Sequence, residues 1–380
     1  MAHTVITLDL RDAIAQAVRD LGPAAGGTVP GPAQGLPPEL HPDPKLRPGP
    51  APGTYATSIA FGLSAIFRTT PAQVATRITR RLAATDWIAE AVTGGGYITV
   101  TVTPEALASV ATRITAAGPA CVRSEVLRGV TLPRPFPAAM EAARTWEDAR
   151  AGLAAELTAR LAEAAGATLL PSAAAPRTAA PGVGDRRDPE GAVGRGRERS
   201  RSGAGAAEGG LGGQRSEPVA AAIAAAGADA VRFALSRAIP GKPAAIVAAS
   251  IARNSLDNPA YAVRYAHARA ASGVRWAAAL GAPAQGKAAV PRLPADPAER
   301  ALLDALSWLP ERVAVAARRG RPDEFARYLE DLARAAIAAV PFVRPGDDER
   351  LALTVVLAQA ARTGLAAGLG LLGVAAPDRL

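Results

Sequence analysis

Between Pro171 and Ser216 the chain is built almost wholly from Gly, Ala, Pro, Ser and Arg, and this interval limits the fold more than any other stretch. With so few large apolar side chains it cannot bury enough surface to offset the entropy of ordering a backbone, so it reads as a disordered linker. It divides the 380 residues into two parts, each long enough for a core of its own. Arg186-Arg187 and the run Gly194 to Arg201 would either keep a spacer soluble or grip a nucleic-acid backbone. Glu190 and Glu198 dilute that charge, which favours the spacer.

The part from 217 to 380 is helical by apolar periodicity, with segments near 218–237, 244–254, 258–280, 296–319, 322–340 and 347–370. Pro310 marks a kink or break, and Leu302, Leu306, Trp308, Val313, Leu329, Leu332, Leu353 and Leu357 supply a bundle core. The segment from Asn258 carries the most chemistry. Asn258 is an N-cap and Pro259 the first helical residue, where the missing N–H costs nothing. At helical spacing Tyr261, Tyr265, Arg269, Ser272 and Trp276 then fall along one side. Aromatic rings and a guanidinium on one face suit stacking on an unpaired base, and they equally suit a core face with a satisfied arginine.

The N-terminal part reads as a smaller α+β block over residues 1–120. A helix over Leu8 to Leu21 is followed by a Pro/Gly-rich surface excursion over 22–53. The pattern predicts helices from Thr54 to Phe67, Pro71 to Asp86 and Pro104 to Ala117, and a strand over Tyr97 to Val102 after Gly94-Gly95-Gly96. Residues 121–170 add one long helix, about 138–165. The expected architecture is therefore an α+β N-terminal domain and an all-α helical bundle joined by the linker over 171–216.

Formal charge is +9, and the base is nearly all arginine. Guanidinium favours polyanions, although a composition rich in Ala, Gly, Pro and Arg also fits a GC-rich genome. The single cysteine, Cys121, excludes an intrachain disulfide and a Cys-based zinc site and fits a reducing cytosol. His3, His41 and His267 cannot assemble a metal cluster, so neither metal nor cofactor is expected. No Walker-type loop or G-x-S-x-G elbow occurs, and no catalytic residue is assigned. The longest apolar runs read as too short or too Gly-punctuated to span a bilayer, and no leader is apparent, so a cytoplasmic protein is expected.

Several motifs point to a family. Asn258 to Arg269 follows the pattern N-P-x-[FY]-Y-V-Q-Y-A-H-A-R, and Gly227 to Phe233 follows G-A-D-A-L-R-[FY]. Leu309-Pro310, Ala326 to Ala333 and the terminal Leu371 to Leu380 come in matching order. Gly53-Thr54-Tyr55-Ala56-Thr57 and Gly94 to Thr99 are similar to G-D-Y-A-[TS]-N and G-[PG]-G-[FY]-[IL]-N. Together these resemble the anticodon-binding helical domain and the N-terminal add-on domain of arginyl-tRNA synthetases. The resemblance implies that Tyr265 and Arg269, with Tyr261 beside them, line a pocket for the central anticodon base, closed by the chain's last residues up to Leu380. Arg264, where the family often has Gln, adds a charge that could meet phosphate, and Ala262 stands where a second Tyr is usual. His267 is expected to be a buried imidazole holding helices together. At the other end the resemblance implies contact with the tRNA elbow through Tyr97 and Thr99, the threonine replacing an Asn whose amide matches an adenine edge.

The same resemblance draws attention to residues 145–216. Where the family carries H-x-G-H-x-R before a helix, this chain has Thr145-Trp146-Glu147-Asp148-Ala149-Arg150, and the linker occupies the place of the remaining nucleotide-binding fold with its KMSKS loop. Two acids there would repel ATP phosphates. The resulting expectation is a tRNA-binding, monomeric protein that is not an enzyme and does not use ATP, with an arginine isoacceptor as the natural partner. The alternatives are an arginine–tRNA ligase and a protein-interaction scaffold whose RNA pockets have decayed.

Overall fold

A computed structural model describes residues 5–21, 43–137, 140–171, 219–244, 246–281, 296–340 and 348–380. All but the first residue of the linker expected over 171–216, and most of the excursion over 22–53, lie outside the described residues. The N-terminal part opens with α1 (Ile6–Arg19), whose Ile6, Leu10, Ile14 and Val18 are buried at helical spacing. A four-stranded antiparallel sheet follows in the order β1-β2-β4-β3, from β1 (Arg47–Pro48), β2 (Thr54–Thr57), β3 (Ile88–Gly94) and β4 (Tyr97–Val102). Helices α2 (Ile59–Ser64), α3 (Pro71–Leu82) and α4 (Pro104–Ala117) complete the block.

Local chemistry explains most of these limits. Thr70 caps α3 in a reciprocal capping box: its Oγ1 accepts from the Gln73 N–H at 3.3 Å, and Gln73 Oε1 accepts from the Thr70 N–H at 3.2 Å. Thr103 caps α4, with Pro104 at the first position. Gly95 and Gly96 both hold positive φ, +58° and +94°, and form the two-residue turn between β3 and β4. Thr54–Thr57, expected to begin a helix, is instead a strand: Tyr55 pairs with Val100 and is fully buried. Gly53 at φ +80° turns the chain into it, and the β-branched and aromatic residues that follow suit a pleated, buried site.

Residues 121–170 hold more than the single expected helix. Helix α5 (Trp146–Ala164) connects two short strands, β5 (Thr131–Pro133) and β6 (Thr168–Leu170), which pair in parallel with Thr131 opposite Thr168. This is one β–α–β crossover.

The C-terminal part is all helix: α6 (Val219–Ala226), α7 (Ala228–Ser236), α8 (Ala248–Ile251), α9 (Pro259–Ala279), α10 (Pro297–Ser307), α11 (Leu309–Arg319), α12 (Pro322–Ala339) and α13 (Asp348–Leu372). Gly227 at φ +85° splits the first expected segment, and Pro310 sits in the first turn of α11, just after the break at Trp308. Helix α13 is long and apolar enough to cross a membrane by length and composition, which the sequence reading underestimates. More than half of that stretch is buried against the protein, as befits a central core helix.

The two parts share one apolar core. Helix α4 packs on α10 and α13, and α5 packs on α11. Gly53 N–H donates to Asp304 Oδ1 at 3.0 Å, Tyr55 OH lies 2.9 Å from Ser307 Oγ, and the Tyr55 and Trp308 rings are 5.3 Å apart. Beyond any joining by the linker, the two parts are therefore packed together, with buried side chains from both interdigitating.

Candidate nucleic-acid interface

Helix α9 is fixed at its start by Asn258, which uses its whole side chain. Oδ1 accepts from the Ala260 N–H at 3.2 Å, while Nδ2 donates to the Ile251 and Arg253 carbonyls at 2.7 and 2.8 Å. From that anchor α9 lies between α12 and α13, and Val263, Ala266 and Ala270 are buried. Tyr261 and Tyr265 come together half-buried and stacked, centroids 5.8 Å apart at 20° between planes. Arg264, one turn from Tyr261, has a buried Nε with no hydrogen-bond partner among the described residues. Ala262 is half-buried next to the pair, and Trp276 further along is 65% exposed.

Arg269 stands differently. Its Nε and Nη2 both donate to the Val340 carbonyl, at 3.2 and 3.0 Å. Val340 closes α12, so the guanidinium meets the negative end of a helix dipole. The arginine therefore has a structural partner as well as a place on the stripe.

Leu380 is 55% exposed, and the tail's polar contacts run to His267, Arg275 and Arg362. His267 is buried, and its Nδ1 lies 2.9 Å from the Pro377 carbonyl. A carbonyl can only accept, so Nδ1 carries the hydrogen. Burial holds this imidazole below its ordinary pKa, against the raising effects of the Pro377 carbonyl and Asp378. The expected clamp between helices is thus a clamp on the tail.

At the opposite end Tyr97 is 56% exposed and packs on Phe61, centroids 4.9 Å apart. Phe61, itself 42% exposed, was missed by sequence reasoning. Only the turn of the hairpin against α2 brings it to Tyr97. Gly96 makes room: a Cβ there would sit 2.8 Å from Pro71 Cβ and 3.0 Å from Phe61 Cζ. Thr99 shares a strand face with Tyr97 and is half-buried, while Ile98, Val100 and Val102 point into the core.

At the start of α5, Thr145 Oγ1 accepts from the Asp148 N–H at 3.1 Å, and Trp146 is buried. Glu147 and Asp148 occupy the first turn, where a helix dipole favours acids. They have this structural reason to be there.

The chain thus combines a helical bundle, with stacked tyrosines and arginines on one helix, and a small antiparallel block with an exposed aromatic pair. Residues 263–380 match the DALR anticodon binding domain, and residues 8–102 match the arginyl tRNA synthetase N terminal domain. An arginine–tRNA ligase of Frankia alni is 38% identical over 164 residues, covering 42% of this chain and 30% of the relative. One of Clavibacter sepedonicus is also 38% identical, over 42% of this chain and 29% of the relative. The chain thus spans under a third of the length of these relatives. The fold matches Thermus thermophilus arginyl-tRNA synthetase with a TM-score of 0.53 at 15% identity, over 98% of this chain and 99% of that one. The chain is related to the arginyl-tRNA synthetases and carries two of their domains, the N-terminal domain and the DALR anticodon-binding domain.

One expectation is overturned. The sequence reading takes the chain for a protein that is not an enzyme. The relatives it matches are named arginine–tRNA ligases, so that expectation does not stand.

Proposed function

We propose that the protein binds tRNA, taking the anticodon loop against α9 and the tRNA elbow against the Phe61–Tyr97 pair. The observation that carries this reading is the Tyr261–Tyr265 stack beside Arg264, where Tyr265 and Arg264 open the segment, residues 263–380, that matches an anticodon-binding domain and Tyr261 lies just before it. Half-buried rings offer π-faces to unpaired bases, and the Arg264 guanidinium places a positive charge beside them for a phosphate. On this reading residues 1–120 serve the elbow, 121–170 are a nucleotide-fold remnant, 171–216 a spacer and 217–380 the anticodon grip. The protein acts as a cytoplasmic monomer, with an arginine isoacceptor as partner. Arg269, held by Val340, contributes by shaping the pocket as well as by direct contact.

Fluorescence anisotropy with an arginine tRNA tests it. Tyr265→Ala should weaken binding by about 1–3 kcal/mol, the value of one lost stacking surface. Tyr97→Ala should weaken full tRNA but not an isolated anticodon stem-loop. Affinity should fall as salt rises. No binding at low salt, or a Tyr261→Ala/Tyr265→Ala pair that binds as the parent does, would sink the proposal. A second reading, arginine–tRNA ligase activity, is favoured by the names of the relatives, and arginine charging with ATP by the purified full chain tests it directly.

A further inference from the structure

The 3-10 turn Gly118–Val122, the last turns of α5, α13 and the C-terminal tail enclose a cavity of about 1050 Å³. It lies at the end of α5 away from Thr145, and its lining includes neither Tyr261 nor Tyr265. Val122, Ala164, Ala367 and Leu371 give it an apolar floor. Its charged lining is Arg123, Arg160 and Arg362, against Glu163 and Asp378.

The surrounding ion pairs leave base in excess. Glu163 is taken by Arg134 at 3.1 Å. Glu156, just behind, is shared between Arg160 at 3.2 Å and Arg232. Asp378 holds Arg362 at 2.9 Å while its carbonyl accepts from Arg275 at 3.1 Å. Arg123 is exposed and has no partner among the described residues. Within the lining three guanidinium groups, Arg123, Arg160 and Arg362, face two carboxylates, Glu163 and Asp378, and Glu163 is already held by Arg134. An apolar floor with guanidinium forks at its rim suits a base or ribose below and a phosphoryl group above.

We propose that this cavity is a second binding site, for the phosphoryl group of a nucleotide, carried either by an RNA strand or by a free nucleotide. Arg123, Arg160 and Arg362 hold the phosphate oxygens, and the Asp378 carboxylate is the group the phosphate displaces from Arg362. Both members of that pair are about half exposed, at 44% and 50%, and an exposed ion pair is weak enough for a phosphate to replace. Displacement frees the tail, whose Pro377 carbonyl rests on His267. The cavity is separate from the Tyr261–Tyr265 stack, neither ring of which lines it, although it shares the tail that the resemblance places over the anticodon pocket.

Calorimetric titration of the full chain with pyrophosphate, with AMP and with a short oligouridylate tests the site and separates its sources. Tighter binding of AMP or pyrophosphate assigns it to a free nucleotide, tighter binding of the oligouridylate to an RNA strand. Arg123→Ala and Arg362→Ala should each weaken binding about tenfold, the scale of one charge-assisted contact. Asp378→Asn, which removes the competing carboxylate, should strengthen it several-fold, and Tyr265→Ala should leave pyrophosphate binding, which involves no base, unchanged. Arg123 touches nothing that its loss would unfold, and Asp378→Asn gives a gain, so neither result can be mistaken for misfolding. Failure of all three ligands to bind, arginine variants that bind as the parent does, or an Asp378→Asn variant with no gain would overturn the proposal.

Discussion

His267 has the most exposed consequences of any single side chain. It is neutral in the fold, donates through Nδ1 to Pro377, and has a pKa held below the ordinary value of 6.5 by burial. The unfolded chain therefore takes up a proton at a pH where the folded chain resists it. The stability this imidazole contributes is complete above its unfolded pKa and is lost as pH falls through the folded value. The urea midpoint should accordingly drop between pH 7.5 and pH 5, and His267→Gln, whose amide can still donate to Pro377, should flatten part of that drop. An identical pH profile in the variant would show that His267 is not the responsible group. Sequence placed His267 in a signature and foresaw its burial. It could not show that the partner is a carbonyl 110 residues away.

Among the elements, those with strong local instructions were legible: α3 with its capping box, α4 with Thr103-Pro104, and α9 with Asn258-Pro259. Strand β3 was not, since it is a mostly exposed edge whose residues carry no alternation. The β2 strand was misread because four residues give too short a window for periodicity, and their burial comes from pairing with β4 and packing on α10. The β3–β4 turn offers a test. Gly96→Ala would force a Cβ against Pro71 and Phe61 at a φ that L-residues avoid, and should cost about 1–3 kcal/mol. Gly94→Ala, whose Cβ meets nothing within 4 Å, should cost less. Equal losses in chemical denaturation would refute the steric account.

Across the whole molecule, the halves are held by a buried network as well as by the shared core. Arg11 reaches Glu311 at 3.1 Å and Asp43 at 2.9 Å, and Arg318 joins both acids. Burial pushes the Glu311 carboxyl up, while Arg11 and Arg318 draw it back down. Removing one member of such a network leaves charge without compensation, so Glu311→Ala should destabilise by about 3–5 kcal/mol. Because the core is continuous, calorimetry should record one cooperative transition for both halves, and two resolved transitions would contradict that continuity.

By itself the sequence determined the helical bundle, the caps, the hairpin glycines and the family resemblance, because each rests on residues close together in the chain. Tertiary structure alone decided that Gly53 and Tyr55 dock on α10, that Phe61 joins Tyr97, and that Arg269 closes α12 while the tail turns to His267 and Arg362. Those contacts join segments dozens to hundreds of residues apart. No local pattern encodes them, since each is set by how the packed helices bring distant backbone carbonyls and rings within bonding range.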